Sequence, residues 1–157
     1  MYTDEVLEQK KKNLKKIIER EVFITDKKEA SFTPNGTQNK WIFDFKRVLL
    51  RVEVLDLVAD IFWGIFFSKG RFQIGCLETT GITLVTTFII KRFQFDGVKT
   101  NGFFIRKSRK REGFMRMFEG CELTNDNVIL VDDSMNTGKS FMRQIEALES
   151  QNKKVIA

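Results

Sequence analysis

Apolar positions along the first twenty residues recur at three- and four-residue intervals. Val6, Leu7, Leu14, Ile17 and Ile18 share one face of a helix running from about Asp4 to Glu21, which Thr3 or Asp4 can cap. Val22 to Thr25 reads as a short strand, Pro34-Asn35-Gly36 as a break, and Trp41 to Asp44 as another extended piece. Leu55, Val58, Ala59, Phe62, Ile65 and Phe66 then predict a helix over Val52 to Phe66. Arg71 to Gly75 follows as a strand, LETTG (77–81) as a loop, and Ile82 to Ile90 as a helix rich in β-branched residues. Asn101 to Ile105 is a strand, and the basic run RKSRKREG follows it. Asn127 to Val131 is an apolar, β-branched strand, and Gly138 to Ser150 a helix with Phe141, Ile145 and Leu148 facing inward. Lys154 to Ala157 opens one more strand.

Strands that alternate with helices predict an α/β fold, a central, mostly parallel sheet with helices on both faces. No repeat, low-complexity tract or linker divides the chain, so residues 1–157 are expected to form a single domain. The last strand is only four residues long, which predicts a C-terminus that has been cut short.

Composition narrows the chemistry. The chain has 157 residues with 42% apolar content and one proline, enough for a packed core. Its net charge of +6 suits an anionic partner without naming one. The lysines at 10–12, 15 and 16 read as a solvated helix face rather than a nucleic-acid patch. No signal peptide opens the chain, and its apolar runs fall short of the roughly 20 residues a membrane span needs. Cys76 and Cys121 stand far apart, as in a reduced cytoplasmic protein, with Cys76 expected in the core. Histidine is absent altogether. That removes Ser-His-Asp and Cys-His catalysis and most zinc sites, and leaves acid–base and charge-stabilising work to Lys, Arg, Asp and Glu.

One loop carries a specific signal. VILVDDSMNTGKS (128–140) ends in Gly-Lys-Ser, but a Walker loop needs glycine five residues before Gly138, where Asp133 stands. A carboxylate there would repel the phosphates such a loop wraps. No G-x-G-x-x-G follows any strand either. The segment makes chemical sense as a sugar-phosphate site. Gly138 can turn backbone N–H groups inward, Thr137 and Ser140 offer hydroxyls, and the following helix dipole favours an anion. Asp132 and Asp133, at the end of a strand, can accept hydrogen bonds from two vicinal ribose hydroxyls. Charge-assisted bonds of this kind contribute about 1.5–3 kcal/mol each. The competing reading has the two acids merely capping the helix.

VILVDDSMNTGKS resembles the phosphoribosyl-diphosphate signature of type I phosphoribosyltransferases: four apolar residues, two acids, three variable positions, then Thr-Gly. NGFFIRKSRKREG resembles the mobile catalytic loop of orotate phosphoribosyltransferases, with Arg106 and Lys107 as its Arg-Lys pair, then Lys110 and Gly113. FEG (118–120) fits the stretch after that loop. WIFDFKRVLL and IGCLETTGITLV are similar to the N-terminal and pyrophosphate-loop segments.

The resemblance implies the type I phosphoribosyltransferase fold, with residues 1–45 as an N-terminal helix and small hood region and 46–157 as the core. It implies transfer of a phosphoribosyl group from phosphoribosyl diphosphate to a base, orotate, in pyrimidine nucleotide synthesis, with release of pyrophosphate. Lys110, Arg106 and Lys107 would be the catalytic cations. Asp132, Asp133, Asn136, Thr137, Gly138, Lys139 and Ser140 would bind the ribose and its 5′-phosphate. Glu78, Thr79, Thr80 and Gly81 would form the pyrophosphate loop. Mg2+ would be held mainly through substrate rather than by direct protein ligands, and the mobile loop would cross to a neighbouring subunit in a homodimer. Where many relatives carry a histidine in the mobile loop, this chain has Glu112. That departure keeps a second function open: a non-catalytic sensor of phosphoribosyl diphosphate, or a nucleic-acid-binding regulator, on the same fold.

Overall fold

The computed structural model describes residues 2–24, 41–107 and 117–157, so Pro34-Asn35-Gly36 and Lys110 to Gly113 lie outside the described residues. The chain forms two compact units, Met1–Ile61 and Phe62–Ala157.

In the first unit, helix α1 (Asp4–Ile17) starts where Thr3 accepts a hydrogen bond from the Val6 N–H, and its end widens into a π-helical turn at Ile18–Val22. Strands β1 (Phe23–Ile24) and β2 (Ile42–Phe43) pair antiparallel. A short helix, α2 (Lys46–Leu49), places Val48 and Leu49 in the core beside Val22. Four residues give no periodicity to read, which is why the sequence did not show it. Helix α3 (Val52–Phe66) has the bounds its apolar spacing predicted. On the basic face of α1, Lys11 pairs with Glu8 and Lys15 with Glu19 along the chain, and Lys10 reaches Asp60 on α3.

The second unit is built on strands β3 (Phe72–Leu77), β4 (Gly102–Ile105), β5 (Phe118–Gly120) and β6 (Asn127–Val131). Their order is β5-β4-β3-β6, with β3 parallel to both β4 and β6, and β5 antiparallel to β4 at the edge. Val155 adds a parallel bridge to Val128, where the sequence predicted a last strand. The sheet is mostly parallel, as expected, and β5 is the exception. FEG has no apolar alternation, so its strand state comes from pairing with β4 rather than from its own pattern.

Helix α4 (Thr80–Asp96) lies on one face and α5 (Lys139–Glu149) on the other. On the α4 face, Val85 and Ile89 press so closely on Gly102 that a Cβ there would lie 2.5 and 2.6 Å from them. Phe62 stacks on Phe88 at 4.0 Å, and Trp63 on Phe72 at 5.6 Å. On the α5 face, Phe141, Ile145 and Leu148 pack against Phe103, Ile105, Val128 and Leu130, matching the expected inward positions. Cys76 is fully buried, as expected of a core residue.

At the sheet, two boundaries differ most from the sequence reading. Strand β3 extends to Leu77, because partners on both sides continue its ladder past Gly75. LETTG is not a loop throughout: Thr80 and Gly81 already belong to α4, which runs on past Ile90 to Asp96 and ends at Gly97. The helix starts early because Gly81 meets the strand without a side chain. A Cβ there would lie 2.5 Å from the Cys76 Cβ and 3.3 Å from the Val131 carbonyl oxygen.

Candidate functional site at the carboxyl edge of the sheet

Three strands end together. Leu77 is level with Ile105 and Cys76 with Val131, so Glu78, Arg106 and the Asp132-Asp133 pair leave the sheet side by side. Helices α4 and α5 follow neighbouring strands, β3 and β6, onto opposite faces. Such a divergence opens a crevice at the carboxyl ends of the strands, where open α/β sheets bind ligands.

Each rim segment has its own local architecture. After β6, the Asp133 N–H donates to Oδ1 of Asp132 at 2.9 Å, which fixes the direction of the chain as it leaves the strand. Neither acid caps α5. The N-cap is Gly138, in the left-handed region at φ 73° and without a side-chain cap, so the turn that delivers the helix N-terminus needs glycine. Thr137 Oγ1 accepts only a long 3.5 Å bond from the Lys139 N–H. The first turn of α5 carries no acidic residue, and Asn136, Thr137, Lys139 and Ser140 are exposed. This leaves the helix amides and two hydroxyls available to an anion.

The second segment follows β3. The Glu78–Thr79 peptide is cis, and the Glu78 N–H donates to the Ile105 carbonyl at 2.9 Å. Oε1 of Glu78 accepts the Lys107 N–H at 2.8 Å, tying this turn to the exit of β4. Helix α4 begins at Thr80 with neither a capping side chain nor an acid in its first turn. A second uncapped helix N-terminus therefore opens at the same sheet edge.

The third segment follows β4. Arg106 is half-buried, and its Nη1 lies 3.0 Å from Oε1 of Glu119 on β5. Lys107 is exposed. Lys110, the principal cation expected from the sequence, lies outside the described residues. Negative charge reaches the floor of the edge. Burial, reinforced by the charge of Asp132, pushes the Cys76 thiol up to about 12.

All the described residues expected from the sequence, Glu78 to Gly81, Arg106, Lys107, Asp132, Asp133 and Asn136 to Ser140, leave strand ends at this one edge. The sequence did not reveal Glu119 as the partner of Arg106. It also did not reveal Gln144, buried one turn into α5, whose Nε2 donates to the Ser140 carbonyl at 3.2 Å. A glutamine four residues after a phosphate-loop serine has no distinguishing pattern by itself.

Comparison with known proteins agrees with this layout. The orotate phosphoribosyltransferase of Mycobacterium tuberculosis, solved with Fe(III) dicitrate, superimposes with a TM-score of 0.76 at 20% identity, covering 94% of this chain and 81% of that one. The fold is that of the type I phosphoribosyltransferases. The same M. tuberculosis enzyme in complex with 5-phospho-alpha-D-ribosyl 1-diphosphate gives a TM-score of 0.60 at 22% identity, over 73% of this chain and 63% of that one. In sequence, the chain is 26% identical over 123 residues to the orotate phosphoribosyltransferase of Streptomyces coelicolor, covering 78% of this chain and 67% of the relative. The chain spans about two thirds of the length of the curated relatives it matches. No family model matches it. Within the type I phosphoribosyltransferase fold, the crevice described above is bounded by the segments that the sequence resemblance pointed to.

Proposed function

We propose that the protein transfers the phosphoribosyl group from phosphoribosyl diphosphate to orotate and releases pyrophosphate. The observation that carries this reading is the common level at which Glu78, Arg106 and Asp132-Asp133 leave three adjacent parallel strands, flanked by two uncapped helix N-termini. One end of such a crevice suits a sugar diol and a monophosphate, and the other suits a second, larger anion.

In this reading Asp132 and Asp133 accept the ribose hydroxyls. Asn136 to Ser140 and the first turn of α5 hold the 5′-phosphate through backbone N–H groups and hydroxyls. The turn at Glu78 to Gly81, with the first amides of α4, receives the pyrophosphate. As the C1′–O bond to pyrophosphate breaks and the base nitrogen bonds to C1′, positive charge grows on the sugar and negative charge on the leaving group. The carboxylates face the first, and Arg106, Lys107 and Lys110 the second, with Lys110 as the main catalytic cation. The segment carrying Lys110 would also exclude water from the reacting centre. Among the described residues no group of three or more His, Cys, Asp or Glu side chains is placed to hold a metal ion. Mg2+, held mainly by substrate oxygens and water, would add positive charge at the pyrophosphate. The protein acts as a homodimer in which that segment serves the neighbouring site.

The test is to incubate the protein with phosphoribosyl diphosphate, Mg2+ and orotate, and to measure pyrophosphate and nucleotide. Equal amounts of both are expected. Lys110→Ala should abolish turnover while keeping most phosphoribosyl-diphosphate binding, and mixing it with Asp133→Asn, at phosphoribosyl diphosphate well below the KM of Asp133→Asn, should give more activity than Asp133→Asn alone, through hybrid dimers. Tight binding of phosphoribosyl diphosphate with no pyrophosphate release, from orotate or any other base, would replace the enzyme with a sensor.

A further inference from the structure

Glu78 fits the charge of its surroundings poorly. It opens the turn proposed to receive pyrophosphate, yet it brings a carboxylate toward a polyanion, and like charges at close range repel. The residue is half-buried, and its carboxylate is engaged by the neighbouring strand. Oε1 accepts the Lys107 N–H at 2.8 Å, and the Glu78 backbone N–H donates to the Ile105 carbonyl at 2.9 Å.

The strand register gives these two bonds a meaning. In a parallel ladder a residue donates its N–H to the carbonyl before its partner, and its own carbonyl accepts from the N–H after it. Ile74, level with Gly102, follows the first half of this rule by donating to the Asn101 carbonyl at 3.0 Å. Leu77 is level with Ile105, so the next pair is Glu78 with Arg106. Glu78 makes the matching donation, to Ile105. The return bond from Lys107 reaches the Glu78 side chain in place of its carbonyl. The carboxylate therefore substitutes for a backbone acceptor where the chain turns away toward α4. It carries the ladder one rung past the ends of β3 and β4. On the other flank, the Arg106 N–H donates to the carbonyl of Met117, the residue before β5, at 2.9 Å. The exit of β4 is thus held from both sides, at Arg106 by Met117 and at Lys107 by Glu78.

We propose that Glu78 is a positioning residue for the anion site. Its carboxylate acts through the Lys107 amide to hold Arg106 and Lys107 at a fixed spacing from the first amides of α4. The cations and the helix N-terminus then meet one anion together instead of moving independently. The role needs an acceptor at this spot and not a negative charge, since the charge by itself works against the anion. A glutamine would therefore serve the link as well as a glutamate does, and would oppose the ligand less. Pyrophosphate as that anion comes from the phosphoribosyl-transfer reading, on which this role rests.

Variants at this position separate acceptor from charge. Glu78→Gln keeps an oxygen in place and removes the charge, whereas Glu78→Ala removes both. Glu78→Met keeps the length of the side chain without an oxygen, and replaces Glu78→Ala if that variant does not fold. In the protein without ligand, NMR-detected hydrogen exchange at the Lys107 amide should quicken at least about fivefold in Glu78→Ala and stay near the parent rate in Glu78→Gln. Calorimetric titration with pyrophosphate and Mg2+ should then split the two variants. Glu78→Gln should bind at least as tightly as the parent, and Glu78→Ala several-fold more weakly, although both have lost the same charge. Equal affinities in the two variants would overturn the proposal, because charge alone would then account for Glu78. So would Lys107 exchange at the same rate in the parent and Glu78→Ala, or a parent that binds no pyrophosphate. Binding in the expected order, without transfer from phosphoribosyl diphosphate to any base, would leave the positioning role standing and remove the enzyme.

Discussion

Nη1 of Arg106 lies 3.0 Å from Oε1 of Glu119 on the adjacent antiparallel strand, while Nε of the same guanidinium is buried without a hydrogen-bond partner among the described residues. A cation proposed to meet pyrophosphate is thus neutralised at rest by a carboxylate that satisfies only part of it. Leaving a buried donor unmade costs about 1–3 kcal/mol, so a polyanion offering more acceptors can draw Arg106 away from Glu119.

Glu119→Gln should therefore release Arg106 toward the site. The expected outcome is a several-fold lower KM for phosphoribosyl diphosphate. The accompanying loss of stability should be small, below about 1 kcal/mol, since the pair is partly exposed. Steady-state kinetics and urea denaturation check the two effects separately. An unchanged KM together with a large loss of stability would make the pair purely structural.

Position 81 gives a steric prediction. A Cβ at Gly81 would lie 2.5 Å from the Cys76 Cβ, an atom held by the central strand, and 3.1 Å from its Sγ. Rotation about the Cys76 side chain can move its Sγ but not its Cβ. Gly81→Ala should cost about 1–3 kcal/mol by overpacking and push the first turn of α4 off the sheet edge. Thermal or urea unfolding measures the first effect and phosphoribosyl-diphosphate affinity the second. A variant as stable and as tight as the parent would mean that α4 does not sit this close.

The same glycine shows where sequence pattern stops being informative. Helix α3 and strand β6 were legible to the residue, because the first has an unbroken apolar face and the second is an apolar, β-branched run. Thr79-Thr80-Gly81 has the composition of a loop, and only its contact with Cys76 and Val131 makes it a helix start. Strand β5 is likewise set by its neighbour: Phe118, Glu119 and Gly120 pair with β4 and show no alternation of their own. Gln73 is buried in an apolar strand because its carboxamide holds the Glu122 carbonyl and the Thr124 N–H, both at 2.8 Å. The site acids were legible for the opposite reason. Two carboxylates directly after an apolar strand are costly without a partner, so they stand out locally.

Asp132 and Asp133 should separate binding from chemistry. Asp133→Asn keeps the shape but removes the charge from a charge-assisted hydrogen bond, and should weaken phosphoribosyl-diphosphate binding about tenfold. Asp132→Asn should act in the same direction, and it also removes the charge that helps raise the Cys76 thiol. Calorimetric titration of the two variants is the measurement. Unchanged affinity in both would leave the acids without a role in sugar recognition.

That thiol supplies a pH dependence with a definite sign. Burial, with help from the charge of Asp132, raises Cys76 from 9.0 in the open chain to about 12 in the fold. The fold therefore retains a proton that the unfolded chain releases first. The stabilisation is fully present below pH 9 and is lost as pH rises toward 12. At pH 10 the loss should be on the order of 1 kcal/mol relative to neutral pH. The informative quantity is the difference between the parent and Cys76→Ala, which isolates this one group. The variant should be less stable at pH 7, because it leaves a small cavity between β3 and α4. Its deficit should narrow steadily above pH 9 in denaturant titrations. A deficit that stays constant to pH 10.5 would mean that the Cys76 thiol ionises as readily in the fold as in the open chain, which would place solvent or a counter-charge beneath the acidic edge of the sheet.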